Sequence, residues 1–277
     1  MSMRIVRQPA VAGRFYPGRV DDLVKTVDKL LDGARRASTR LPVPPKALIV
    51  PHAGYVYSGP TAALGYTRLL PARTQITRVV LLGPAHYVAF PGLALPDAVA
   101  FATPLGEVRV DRGAAGLLTA LPHVHTSARA HAPEHSLEVQ LPFLQRVLDR
   151  FAIVPLVVGD ATPQAVAGVL DALWGGPETL LLISSDLSHY LPYDSAEAMD
   201  ADTVRRILAL EWPLPDGGAC GARGINGLLV AASARGLTPE LVDRRNSGDT
   251  AGDRARVVGY ASVAFGVGTT PGGDHDD

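Results

Sequence analysis

Three histidines stand directly behind three short apolar runs. Residues 46–50 (KALIV) lead into Pro51-His52-Ala53-Gly54-Tyr55. Residues 78–82 (RVVLL) lead into Gly83-Pro84-Ala85-His86-Tyr87, and residues 179–184 (TLLLIS) into Ser185-Asp186-Leu187-Ser188-His189-Tyr190. Each run has the length and character of a buried strand, so each histidine falls just past a strand's carboxyl end. In open α/β sheets that edge is where loops converge on a ligand. One loop histidine is most simply a surface or hydrogen-bonded group; three at equivalent positions point to a shared site, and neutral imidazole is a common metal ligand.

The single cysteine, Cys220, sits in Gly217-Gly-Ala-Cys-Gly-Ala-Arg-Gly224, ahead of an expected helix. A helix N-terminus favours negative charge, hence the thiolate, and the flanking glycines suit a close backbone approach. The bland alternative is a small buried hydrophobe. Two histidines and a thiolate would suit Zn, Cu or Fe(II). His131-Ala-Pro-Glu-His135 matches the text of an inverted zinc-peptidase signature, but Pro133 argues against one continuous helix through both histidines. Glu134 and His135 are then expected beside a helix start, with a supporting or substrate-contact role. Two further stretches carry weaker signals: the aromatic loop Ala12-Gly-Arg-Phe-Tyr-Pro17, and the turn Asn246-Ser-Gly-Asp249, which could bring Asp249 to a cleft rim.

These residues need elements to hold them. Apolar spacing predicts a helix over 19–36, a Pro-rich linker over 41–45, and a helix starting at Ser58 with Pro60 in its first turn. A hairpin is expected from 98–102 and 108–110, with helices over 112–121 and 136–150, the latter capped by Ser136. A strand follows over 152–158, then helices over 163–174, 196–211 and 221–235, and closing strands over 241–245 and 257–267. Strands alternating with helices predict an α/β fold: one domain over 1–268, with a mostly parallel sheet, helices on both faces and an antiparallel edge. Residues 269–277, which include His275, are Gly- and Asp-rich and are expected to be a disordered tail.

The bulk composition narrows the function. The 277 residues are 47% hydrophobic, enough for a large core, with a net charge of -1. No basic face is implied, so nucleic acid and anionic membrane are excluded as expected partners. No apolar run approaches the ~18 residues of a membrane span. One cysteine allows no internal disulfide, and the N-terminus lacks a signal-peptide pattern, so a cytoplasmic location is expected. The sequence contains no P-loop, no G-x-S-x-G, and no G-x-G-x-x-G behind a strand.

Taken together, AVAGRFYP, VPHAGYVYSG, LLGPAH, EHSLEVQLPFL, SSDLSHY, ACGARG and the closing SGD and VVGYAS resemble the MEMO-like proteins, whose prokaryotic members are called AmmeMemoRadiSam system protein B. The resemblance runs from about Ala10 to about Phe265. It implies a fold similar to the class III extradiol (LigB-like) dioxygenases, non-heme Fe(II) enzymes that open catechol rings. It puts His52 and His86 at the two metal-histidine positions, Cys220 where those enzymes carry a carboxylate, and His189 at the acid/base histidine. It also implies a pocket with Tyr57, Cys220 and Phe15, linked in animal members to phosphopeptide binding and redox activity. Phe15 stands where the animal form carries Trp, which departs from that peptide role. A functional association with a radical-SAM protein is a further implication.

The leading expectation is therefore an oxidoreductase, with His52, His86 and Cys220 as metal ligands for Fe(II) or Cu, Zn being a third candidate. It would act on a small, phenolic substrate, with His189 moving protons and Asp186 orienting it. Phe15, Tyr57, Glu134 and His135 are the expected substrate contacts. The alternatives are a peptide- or protein-binding module with a vestigial metal site, and a hydrolase with Cys220 as nucleophile.

Overall fold

Long runs of β-favouring aliphatic residues build the centre. A computed structural model describes residues 4–37 and 44–267. The strands are β1 (Val6–Arg7), β2 (Ala47–Val50), β3 (Arg78–Pro84), β4 (Leu93–Leu95), β5 (Ala100–Thr103), β6 (Gly106–Val110), β7 (Val124–Thr126), β8 (Ala152–Val158), β9 (Thr179–Ser184), β10 (His189–Leu191), β11 (Leu237–Asn246) and β12 (Val257–Val267). The α-helices are α1 (Val20–Ala37), α2 (Tyr55–Thr67), α3 (Arg112–Leu117), α4 (Ala128–His131), α5 (Leu141–Val147), α6 (Pro163–Ala172), α7 (Tyr193–Leu208) and α8 (Ala222–Ala234).

The sheet runs β1-β5-β6-β8-β3-β9-β2-β12-β10. Its middle, from β6 through β8, β3 and β9 to β2, is parallel, and β12 pairs antiparallel with both β2 and β11. Every residue of β2 and β9 is buried, as a strand covered on both faces requires. One apolar core lies under α1, α2 and α5 and a second under α6 and α8, so helices cover both faces. The expected fold class is what the chain adopts. Because β3, β9 and β2 are neighbours, the loops behind them open on one edge.

Several boundaries differ from expectation. Helix α2 begins at Tyr55, and Ser58 does not cap it; its hydroxyl donates to the Ala53 carbonyl at 2.8 Å. Pro60 therefore sits inside the helix, where its missing N–H leaves the carbonyl of Val56 unbonded. Val56 is exposed, so water can satisfy that carbonyl. The segment expected to be one helix over 136–150 starts as a 3-10 turn, Glu138–Gln140, and becomes α5 only at Leu141. Ser136 is no cap; its hydroxyl donates to the Pro84 carbonyl at 3.2 Å. The side chains of Glu138 and Gln140 are drawn into buried long-range hydrogen bonds. β1, β4, β7 and β10 are two or three residues long, too short to show periodicity. The tail expected over 269–277 and most of the Pro-rich linker lie outside the described residues.

Candidate metal centre

At the carboxyl edge of β2, β9 and β3 the rings of His52 and His86 meet at 5.2 Å, nearly perpendicular. Cys220 Sγ lies 3.4 Å from His52 Nε2. One ligating atom from each of His52, His86 and Cys220 lies within 4.8 Å of the others. The sequence places these residues 34 and 168 positions from His52, so the fold alone brings them together.

The protonation pattern follows from the hydrogen bonds. Ser184 Oγ donates its one proton to the Ser136 carbonyl at 2.7 Å and accepts from Gln140 Nε2 at 2.7 Å. Its 2.8 Å contact with His52 Nδ1 must then be donated by the imidazole. His52 thus carries its proton on Nδ1 and turns a bare Nε2 toward the sulfur. His86 does the same: Nδ1 donates to Glu134 Oε1 at 2.9 Å, which leaves Nε2 free. Hydrogen bonds that fix the tautomer in this way are the usual support of a metal-binding histidine.

Electrostatics keep the His52 ring neutral. Burial, followed by the neighbouring His86, lowers His52 to about 3. Burial by itself would raise Glu134, but the hydrogen bond from the His86 side chain, the positive charge that ring carries when protonated, and hydrogen bonds from the His86 and Ser136 backbones hold it down at about 2. Cys220 departs from expectation. Helix α8 starts two residues later, and burial together with the Asp186 carboxylate pushes the thiol up to about 12. Without a cation beside it the sulfur keeps its proton, and His52 Nε2 is the acceptor that proton faces.

The other expected site residues fall into place as follows. Glu134 is 1% exposed and lies behind His86, both oxygens occupied by N–H donors, so it supports that ring and is not a substrate contact. His135 stacks on His86 at 4.6 Å and stands edge-on to His52 at 5.4 Å, with Phe15 packed against it at 4.7 Å. Tyr87, which sequence reasoning did not single out, places its hydroxyl 3.3 Å from His135 Nδ1. Tyr57 is exposed on the first turn of α2.

Asp186 does not orient His189. Its Oδ1 accepts from the backbone N–H groups of His52 (2.7 Å) and Ala53 (3.3 Å), so it anchors the His52 loop, while Oδ2 lies 4.0 Å from His52 Nε2. Burial raises its pKa. His189 instead donates from Nδ1 to the Leu187 carbonyl at 2.9 Å, which again leaves Nε2 bare, and its charge would bear on both His52 and Asp186. The following residue, Tyr190, takes the left-handed conformation (φ 59) where β10 and β12 slip register.

Three further expectations resolve simply. His131 belongs to α4, which ends before Pro133; its Nε2 donates to the Ala94 carbonyl, so it and His135 share no helix and the peptidase signature is not formed. Asp249 caps an ordinary 3-10 turn and accepts from Tyr193. Of the aromatic loop, Tyr16 is a core plug bonded to Glu138 and Phe15 faces the site.

The chain has clear relatives. The family described as Memo-like protein matches residues 7–264. A MEMO1 family protein of Ignicoccus hospitalis is 36% identical, covering 94% of this chain and 99% of its own. One of Methanosarcina barkeri is 37% identical, covering 93% and 99%. Among solved structures, an uncharacterized protein of Escherichia coli K12 is similar in fold, with a TM-score of 0.50 and 16% identity over 79% of this chain and 99% of that one.

Proposed function

We propose, from the premise that the chain belongs to the Memo-like protein family, that it is a metal-dependent oxidoreductase acting on a small phenolic substrate. The observation that carries this reading is the pair of bare Nε2 atoms beside the one sulfur. The His52 nitrogen is buried and needs a donor, and among the described residues only the thiol proton lies beside it; His86, more open, presents its Nε2 to the same spot.

The donors fit a soft or borderline first-row ion: two neutral imidazoles and a thiol that deprotonates on binding. His52, His86 and Cys220 would hold it. Iron or copper bound there would supply O2 chemistry, and zinc would supply only polarisation. The rest of the work falls to the chain. Glu134 and Ser184 hold the imidazole tautomers. His189 Nε2, unprotonated, can accept the proton of a phenolic hydroxyl. Phe15 and His135 offer ring faces against which a planar substrate can lie.

Binding of a peptide or protein in the same cleft is the second reading. It rests on the exposed rings of Tyr57, Tyr87 and Tyr190. The deciding experiment is metal analysis of protein purified without oxygen, followed by an oxygen-electrode screen of Fe(II)- and Cu-loaded protein against catechols and related phenols. Stoichiometric metal and substrate-dependent O2 uptake are expected. Metal-free protein that refuses both ions would overturn the proposal.

A further inference from the structure

Cys220 has a second face. A cavity of about 360 Å³ opens beside it, between the ends of β3, β8 and β9 and the start of α8. Ligand pockets run from ~300 to ~1,000 Å³, so this one suits a small molecule. Its walls include the Phe90 ring, Val158 and Ile183, an apolar lining that accepts a flat hydrocarbon body. Phe90 is braced edge-on by His125 at 5.2 Å. Two charged residues line it, Arg223 and Asp160. They pair at 3.0 Å, with side chains 58% and 81% exposed, so they stand at the mouth. An exposed pair of this kind is worth little and is readily exchanged for a ligand's anion.

A larger cleft of about 970 Å³ lies at the opposite edge of the sheet. Its cations are held on more than one side: Lys46 donates to the carbonyls of Trp174, Gly176 and Thr179, and Arg235 pairs with Asp171 while stacking over the Trp174 ring at 4.3 Å.

We propose that the cavity beside Cys220 is a ligand pocket distinct from the Phe15 and His135 faces, and that Arg223 selects molecules bearing one carboxylate on an apolar, planar body. A single guanidinium stands at the mouth beside the Asp160 carboxylate, so a monoanion is favoured over a phosphate dianion. The carboxylate would replace Asp160 on Arg223, and the apolar body would reach inward along Phe90 to the sulfur. This goes beyond the proposed function and rests on that reading only for the claim that Cys220 belongs to a reactive centre.

The test compares benzoate with benzamide by calorimetry, using wild-type protein and Arg223→Gln, with metal content measured in parallel. Wild type should bind benzoate about tenfold or more tightly than benzamide. Arg223→Gln should abolish that preference and leave metal content unchanged. Benzoate should also slow the residual alkylation of Cys220 by iodoacetamide in metal-free wild type, followed over hours at alkaline pH by mass spectrometry. Equal binding of the two probes, a preference that survives Arg223→Gln, or no protection of Cys220 would each overturn the pocket assignment. Loss of metal binding with the benzoate preference intact would instead sink the proposed function and leave the anion pocket standing.

Discussion

Glu134→Gln probes the architecture at its most loaded point. The carboxylate accepts three N–H groups: His86 Nδ1 at 2.9 Å, Ser136 N at 2.9 Å and His86 N at 2.8 Å. Glutamine keeps the shape, but its amide nitrogen accepts nothing, so at least one buried donor loses its partner. The size of the effect follows from the held-down acidity. Glu134 titrates at about 2 in the folded chain, against an ordinary 4.5. At ~1.36 kcal/mol per unit, that is about 3 kcal/mol of stability. The sign is fixed by the direction. A depressed carboxyl contributes in full above its unfolded value and loses that contribution as pH falls through 4.5 toward 2.

Urea denaturation should therefore find the variant about 3 kcal/mol less stable at pH 7. The gap between variant and wild type should begin to narrow below pH 4.5. The tautomer lock on His86 is weakened as well, because a neutral amide oxygen replaces the carboxylate, so affinity for Co(II) or Zn should fall about 10-fold or more, as for other removed supports of a metal-binding histidine. A stability gap that stays constant from pH 6 to pH 3, or a metal affinity within twofold of wild type, would refute the reasoning.

The remaining expectations are independent of that carboxylate. Cys220→Ala should strip most of the metal at a modest stability cost; full metal occupancy would remove Cys220 from the ligand set, and a loss of ~2 kcal/mol or more with metal unchanged would make it a packing residue. His189→Ala should leave metal bound and reduce substrate-dependent O2 uptake about 10²-fold or more, and undiminished turnover would reject its proton-moving role. Arg7→Met removes a buried guanidinium that pairs with Glu138 and donates to the His131 carbonyl; the uncompensated carboxylate should cost about 3–5 kcal/mol in a denaturation curve, and a loss under 1 kcal/mol would contradict that. Burial lowers His131 to about 4, so stability is complete above pH 6.5 and declines as pH falls toward 4. With chelator present, His131→Gln should flatten that decline by up to about 1.4 kcal/mol per pH unit, and an unchanged slope would show that His131 is not buried neutral.

The sheet and the strand-end histidines could be read from the sequence because they are local signals. Apolar runs of five to seven residues announce β2, β3, β8 and β9, and His52 and His86 follow two of them directly. What escaped is set by contacts between distant segments. Gln140 bonds Tyr66 and Ser184, and Glu138 bonds Arg7, Ala10, Val11 and Tyr16, across 44 to 131 residues. Those bonds override the helical spacing of 136–150, which a one-dimensional reading sees as an uninterrupted helix. The same blindness mis-paired Asp186 with His189. Three residues separate them, and proximity in sequence suggested a carboxylate–imidazole pair. In space the β9 loop turns Asp186 back onto the His52 backbone, and the Leu187 carbonyl, which no side-chain reading could nominate, holds the His189 ring.

The acidity of Cys220 was mis-assigned for a related reason. A helix N-terminus stabilises an anion by typically 0.3–1 kcal/mol. Burial of the sulfur and the charge of Asp186 oppose it, and the thiol moves up to about 12, not down. Position along a helix sets the sign of a small effect; depth beneath the surface, which only the fold supplies, sets the large one. For a metal centre this ordering has a use. A protonated, half-buried thiol facing a bare imidazole nitrogen is a poor nucleophile toward solvent reagents. A metal held by Cys220 and His52 would take the sulfur as a thiolate. Its reactivity toward iodoacetamide should therefore stay low across neutral pH, and metal should suppress it further. A Cys220 that alkylated rapidly at pH 7 in metal-free protein would show that the thiol is more exposed, or more acidic, than the 3.4 Å contact with His52 and the nearby Asp186 carboxylate require.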